Sequence, residues 1–589
     1  MNEKIKKLFS FRTLLILGIA CCFVCIIPFT KNLIVKLMEV FVLHRELRDF
    51  TKWNDILVHS MTYFALIGIF WFFFWYTAKG KKIGGEIYET AKNAFTANGK
   101  KTFYYLIAIF AIYFIAYSAL IRANYEYADD IRRCYAGHKA WVGWSRYVSE
   151  ILAVFIHTNF FINDITPITQ LWTLVVLTFT SYLLCYIVTE GEMGKCAAAM
   201  SVVCGLTIYY LANFSYKYDC PYMALSMLFG LLPFLFISNY VNFAVMSFIS
   251  LILVCSSYQA SNGIYIIFAM FTAFRMWLQK KPMKSIWIYT GISIAVYVAA
   301  LFFFRLFLMN QFDSSMDSRG TGIATGIDIF TKISSNFKAY NYCILPLSGN
   351  HWVKFFIGLT AVLFPVSAVR LRNGRNVFAT IGLSVVILAA MYCLTLGAYL
   401  VLEEALVTNR TFLGFDMLCG IIAVYSVYAL TKENSIKIKR FAGAMTALYV
   451  YGLIVQAVVY GNFVQKQKEY ENFRFSILAQ DLSKIVDFTK TNSIYIGGIT
   501  GMPGKSRMER KNYPIAAGSV SPVLTKYIIK GYNMDFEFLS EYTLPELDLL
   551  PEFKKQLTDL PLIQDTFYHT IYGKDTQYFV YLKWPMIEE

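Results

Sequence analysis

Apolar runs near twenty residues recur along this chain, enough to cross a hydrocarbon core of roughly 30 Å. A segment immersed in lipid must satisfy its own backbone hydrogen bonds, so such spans are helices and not strands of an open sheet. The runs fall near 14–29, 56–76, 102–121, 168–188, 196–213, 222–238, 241–257, 263–279, 286–308, 352–370, 377–400, 411–430 and 441–461. The expected fold is an all-α polytopic membrane protein with roughly thirteen transmembrane helices. Composition agrees: 57% of residues are hydrophobic and 16% charged, with a mean hydropathy of +0.49. A soluble chain is about a quarter charged.

The net charge of +16 would suggest nucleic acid in a soluble protein. In a polytopic one the excess belongs to cytoplasmic loops, so membrane lipid is the expected partner and nucleic acid is not. Between 77 and 101, Lys79, Lys81, Lys82, Lys92, Lys100 and Lys101 face only Glu86 and Glu89. That loop is read as cytoplasmic, so the span 102–121 exits outward and the loop of about 122–167 is extracytoplasmic. The same alternation places three basic turns inside: Arg275 to Lys284, Arg370 to Arg375 and Lys432 to Arg440. Lys4, Lys6 and Lys7 precede the first run and no small-residue cleavage site follows, so a retained helix is expected there. The stretch 147–157 is apolar but too short to cross, which suits a helix at the membrane surface. The Gly/Ser/Asp-rich stretch 309–350 reads as a long outer loop, either a cover for a groove or a connector.

Composition shifts after Tyr460, which divides the chain into a membrane domain, 1–462, and a small extracytoplasmic α/β domain, 463–589. The latter shows a helical period from 463 to 490, a strand-like run at 493–498, the stretch 522–531, an acidic helix near 544–557 and a final strand at 578–583. Gly498 to Ser506 imitates a phosphate loop, but Ile499 stands where GxxxxGKS needs its first glycine. The twelve cysteines lie mostly in apolar segments without CxxC spacing, so neither a disulfide framework nor a zinc site is expected. His138, His157 and His351 are isolated. No metal and no cofactor is expected.

Four polar clusters interrupt the apolar pattern. Asn124 to Arg133 (NYEYADDIRR) puts Asp129 and Asp130 beside Arg132 and Arg133 at the mouth of a span. A sugar transfer with inversion needs a carboxylate to take the acceptor proton and cations to stabilise the leaving group. The other reading is a salt-bridged loop that caps a helix. Phe214 to Pro221 carries Lys217 and Asp219 near membrane depth, where charges usually line a pocket, or else Asp219 caps the next helix. Ser256 to Asn262 is either a set of sugar-binding amides and tyrosines or a solvated turn. Glu403, Glu404, Asn409 and Arg410 close the set, with Arg410 either a phosphate ligand or a snorkelling side chain.

Taken together, the order Asn-x-x-x-x-Asp-Asp-x-x-Arg, Gly137, Trp141, Ser145-Arg146, Asp164, Thr166-Pro167, then Tyr216-Lys-Tyr-Asp219 and Tyr258-Gln259-Ala260 resembles the glucosyl transferase II family of bacterial membrane proteins. These are similar to serotype-converting O-antigen glucosyltransferases of the GT-C architecture. The resemblance covers about residues 100–430, and Ser145 departs from it where Gly is expected. It implies a polyprenyl-phosphate-linked sugar donor, a surface glycan acceptor and transfer at the outer face of the cytoplasmic membrane. In this frame Asp129 or Asp130 is the base. Arg132, Arg133, Arg146, Lys217 and Arg410 meet the donor phosphate, and Asn124, Trp141, Tyr218, Asp219, Tyr258 and Gln259 meet sugar. A transporter or flippase of lipid-linked sugars shares the apolar fold; internal repeats would favour it, and none is found. Nothing in the sequence sets an oligomeric state.

Overall fold

A computed structural model of the protein describes residue 68 and residues 76–309, 322–324, 326, 328–345, 350–404, 406–487, 489–490, 492–498, 500–512 and 560–583. The expected span at 14–29, nearly all of that at 56–76, the stretch 522–531 and the acidic helix at 544–557 lie outside the described residues.

From 78 to 485 the chain is largely helical. In order come α1 (Ala78–Thr96), α2 (Lys100–Ala123), α3 (Asp129–Ala136), α4 (Tyr147–His157), α5 (Ile168–Val188), α6 (Lys195–Met200), α7 (Ile208–Ser215) and α8 (Cys220–Leu231). They are followed by α9 (Tyr240–Ser257), α10 (Asn262–Leu278), α11 (Met283–Phe303), α12 (Asp328–Ile344), α13 (His351–Arg370), α14 (Val377–Cys393), α15 (Leu413–Thr431) and α16 (Ile436–Ile485). Asparagines start several of them: the side chains of Asn239, Asn350 and Asn376 accept backbone N–H groups at the first turns of α9, α13 and α14, donors that a helix cannot satisfy internally.

Among the described residues seven helices are long and apolar enough to cross a membrane: α2, α5, α9, α11 with its extension to Leu308, α13, α15 and α16. This is compatible with a polytopic membrane protein, but it does not reach thirteen spans. The expected span at 196–213 is broken: Lys195–Gly205 and Ile208–Ser215 meet at 62°. Thr207 caps α7 by accepting the Tyr210 amide at 3.3 Å, and its hydroxyl donates to buried Asp416. Tyrosines of α2 take up carbonyls freed at the break, Tyr117 that of Gly205 and Tyr113 that of Val202. Apolar surroundings tolerate a broken helix only where its backbone groups are paired in this way. Helices α8 (with the turn to Leu235) and α14 form at their expected places but are shorter than a span.

The bundle has two chemically distinct ends. At one end the basic turns converge: Arg375 donates to the Trp277 carbonyl at 3.0 Å, Arg370 pairs with Glu433 at 3.4 Å, and Arg275 and Lys432 pair with Glu190 and Glu192. At the other end lie the loops after α2, α7, α9 and α14.

The stretch 309–350 is not a bare loop, because its second half is α12. Asn336 of α12 donates to the carbonyls of Leu400 and Leu402, and Tyr340 pairs with Thr395 at 2.6 Å. The apolar residues of DIFTKISSNFKAYNYCI recur at helical spacing, but the Gly- and Ser-rich stretch before them makes the whole segment read as loop. Helix α16 also runs without interruption from the apolar bundle to Ile485. Among the described residues its polar half carries a four-stranded sheet of order β1-β4-β3-β2, made of β1 (Ser493–Gly498), β2 (Leu562–Asp565), β3 (His569–Lys574) and β4 (Gln577–Leu582). Strand β1 is parallel to β4, with Ile494 opposite Tyr578, and β3 and β4 form an antiparallel hairpin. Ile494, Ile571, Val580 and Leu582 pack on Phe475, Leu478 and Leu482 of α16.

Candidate active site

Helix α2 ends at Asn124 in a left-handed conformation (φ 40°), and Ala128 (φ 49°) redirects the chain into α3. Asp129 and Asp130 therefore occupy the first turn of α3, where the free N–H groups of the helix favour carboxylates. Consecutive helical residues point about 100° apart, and here that separates the two acids completely. Asp130 is 0% exposed. One of its oxygens accepts the Lys217 amide at 2.8 Å, and the other is buried without a hydrogen-bond partner. Burial pushes its pKa well above the usual carboxylate range; Asp219 adds to this, and Arg133 and Lys217 oppose it. The Asp129 side chain is 59% exposed and lies 3.5 Å from a guanidinium nitrogen of Arg410.

The buried acid belongs to a frame. Lys217, between α7 and α8, spends its ammonium on Asn124 at 3.2 Å, Glu126 at 2.9 Å and Asp164 at 2.8 Å. Burial works against that charge, but Glu126 and Asp164 outweigh it and the pKa of Lys217 rises. Burial likewise opposes the charge of Asp164, yet hydrogen bonds from Lys217 and Thr166 bring its pKa down. Beside them Asp219 accepts Arg133 at 3.1 Å and the indole N–H of Trp141. Arg133 lies 4.5 Å from the centre of the Trp141 ring and donates to the Lys139 carbonyl. Tyr218 packs with Trp141, Ala153, Ile162 and Tyr222.

A more open rim faces this frame. Arg410 lies over Tyr216 at 5.1 Å, and its carbonyl accepts the Tyr258 hydroxyl at 3.2 Å. Arg146 lies over Tyr258 at 4.6 Å and over Trp144 at 5.9 Å, and it donates to Gln259 at 3.1 Å. Gln259 in turn donates to the Trp144 carbonyl at 2.6 Å. Burial costs Arg410 charge stability, but Tyr216, Tyr258, Asp129 and Asp219 more than offset it, and its pKa is raised. Two guanidinium groups held on aromatic faces suit a phosphate.

The fold thus gathers Asn124, Asp129, Asp130, Arg133, Trp141, Arg146, Lys217, Tyr218, Asp219, Tyr258, Gln259 and Arg410 at one end of the bundle, and divides them into frame and rim. The Arg132 side chain lies outside the described residues. Sequence reading gave no role to Glu126, the partner of Lys217, or to Tyr216, the platform of Arg410. Asp416 was also passed over, although an acid inside the apolar run 411–430 is a signal in itself. Among the described residues Glu126, Cys134 and Asp164 bring possible metal-ligand atoms within 4.8 Å of one another, but the Lys217 ammonium already bridges the two carboxylates. Lys505 of the phosphate-loop imitation pairs with Glu469 at 2.7 Å.

Comparison with curated proteins and with solved structures finds no match. The family model described as Glucosyl transferase GtrII matches residues 118–455, a stretch that begins inside α2, takes in both frame and rim, and ends within α16. With more than half of its 589 residues matched, the chain belongs to the glucosyl transferase GtrII family, and so to the glycosyltransferases.

Proposed function

We propose that this glycosyltransferase is GT-C-like and acts at the outer face of the cytoplasmic membrane. It moves a glucose-like hexose from a polyprenyl-phosphate donor to a surface glycan or glycolipid. The observation that carries the reading is the rim: one open carboxylate, Asp129, in ion-pair contact with Arg410, with Arg146 beside it on its own aromatic platform. Asp129 takes the proton of the acceptor hydroxyl as that oxygen bonds to the anomeric carbon. The carbon–oxygen bond to phosphate breaks, and the electron pair leaves with the phosphate. Arg410 and Arg146 hold the charge that develops there. Products are the glycosylated acceptor and polyprenyl phosphate. Gln259, Tyr258 and Trp144 border the sugar. Asn124, Asp130, Arg133, Trp141, Lys217, Tyr218 and Asp219 keep the rim in shape. The reading calls on no metal, because Arg410 and Arg146 supply the positive charge that meets the leaving phosphate.

Proteoliposomes that contain the full chain, a radiolabelled undecaprenyl-phosphate glucose and an extract of surface glycan test this. Label is expected to leave the lipid, at a rate unchanged by chelators. Label that only changes leaflet would make the protein a flippase. In the same assay Arg146→Lys is expected to raise the donor KM roughly tenfold, since an ammonium reproduces neither the fork nor the stacking of guanidinium.

A further inference from the structure

The family match stops at residue 455, yet the chain beyond it reaches back to the turn that carries Asp129. We infer that this C-terminal segment positions the catalytic turn, with Glu471 as the positioning residue; the inference rests on Asp129 being the base.

Glu471 lies in the polar half of α16 and is 6% exposed. Its two oxygens each accept the Tyr125 hydroxyl at 3.0 Å, and one also accepts the Gln467 amide at 2.8 Å. The same Gln467 nitrogen donates to the Gly501 carbonyl at 3.1 Å. Around this contact Lys468 donates to the Asn124 carbonyl, and Arg122 donates to Asn462 and Gln465. One turn further along, buried Arg474 donates to the carbonyls of Thr500, Tyr568 and Lys583. Residues three apart share a helix face, so Glu471 and Arg474 fasten the turn and the sheet to one side of α16.

The gripped segment needs support. Asn124 and Ala128 both adopt positive φ, which disfavours a residue with a Cβ and persists only where the surroundings enforce it. From Tyr125 the contacts continue to the rim. Tyr125 meets Tyr127 edge-on at 6.5 Å, Tyr127 meets Tyr216 at 4.9 Å, and Tyr216 underlies Arg410. Glu471 touches neither substrate nor reacting atoms; it acts through Tyr125.

The test compares full-length Glu471→Ala, Glu471→Gln and Tyr125→Phe with the wild type. Glu471→Ala is expected to lower kcat roughly tenfold, with both KM values within about twofold. Glu471→Gln, which still accepts the Tyr125 hydroxyl, is expected to recover most of the rate. The double variant Glu471→Ala/Tyr125→Phe is expected to be no slower than either single one. A second readout is independent of transfer: alkylation of Cys134, exposed on α3, with exposed Cys393 as the control. Glu471→Ala is expected to speed Cys134 labelling about fivefold and leave Cys393 unchanged, as a loosened turn would. Wild-type labelling together with a wild-type rate would overturn the inference, as would a loss confined to the acceptor KM, which would make the segment an acceptor-binding module. Faster Cys134 labelling in a chain whose wild type transfers no sugar would leave the brace standing and remove the functional reading instead.

Discussion

Asp129→Asn is expected to reduce sugar transfer by about 10²- to 10⁴-fold, the usual worth of a general base, with the donor KM little changed. The amide keeps the shape of the side chain but cannot take a proton. Arg410 loses an anionic neighbour at 3.5 Å, which leaves it free for phosphate. The neighbouring variant sharpens the point. Asp130 is fully buried, and burial together with Asp219 favours its neutral form. An asparagine closely imitates a protonated acid and can still accept the Lys217 amide. Asp130→Asn is therefore expected to keep the rate within about threefold. Initial rates in proteoliposomes at matched protein content check both, and the reverse ranking would move the base to Asp130.

Asp219→Ala is expected to destabilise the protein by about 3–5 kcal/mol, the cost of removing one partner of a buried ion pair. The side chains of Arg133 and Asp219 are only 10% and 6% exposed, so the abandoned guanidinium cannot turn to water. The Trp141 indole N–H loses its acceptor at the same time. Asp219→Asn retains an acceptor for both donors and is expected to fall between the two. Retention of monodisperse protein after graded heating in detergent measures the order. Wild-type resistance in Asp219→Ala would show that the pair contributes nothing to stability and would recast Asp219 as a substrate ligand.

How much of this was legible in the sequence depends on what each residue needed. Most helix positions between 100 and 461 followed from apolar runs, while the runs at 14–29 and 56–76 lie almost wholly outside the described residues. Strands β1 and β4 followed from SIYIGG and YFVYLK, whose β-branched and aromatic residues stand between turn-forming residues. The polar clusters that build the candidate site stood out as polar where their surroundings were not. What did not follow was partnership. Lys217 and Arg410 both read as phosphate ligands, yet the ammonium of Lys217 is held by Asn124, Glu126 and Asp164, whereas Arg410 lies at the rim against Asp129. The deciding contact, the Lys217 amide on Asp130, spans 87 positions. The split between Asp129 and Asp130 was equally hidden, since it depends on how Asn124 and Ala128 aim α3 and not on residue type. Breaks inside apolar runs were invisible for a related reason: the bend before Thr207 is stabilised by Asp416, Tyr113 and Tyr117, all distant in the chain.

The unbroken helix α16 works as a ruler. Fifty residues at 1.5 Å each reach roughly 75 Å, more than twice the roughly 30 Å of hydrocarbon. The sheet it carries is thus held at a set height and also at a set azimuth about the bundle. An insertion of two residues between 455 and 462 would lift it by only about 3 Å but turn it by about 200°, away from the turn that Glu471 grips. Length alone would survive such a change and phase would not, so tolerance to insertions in this helix should recur with the period of the helix itself.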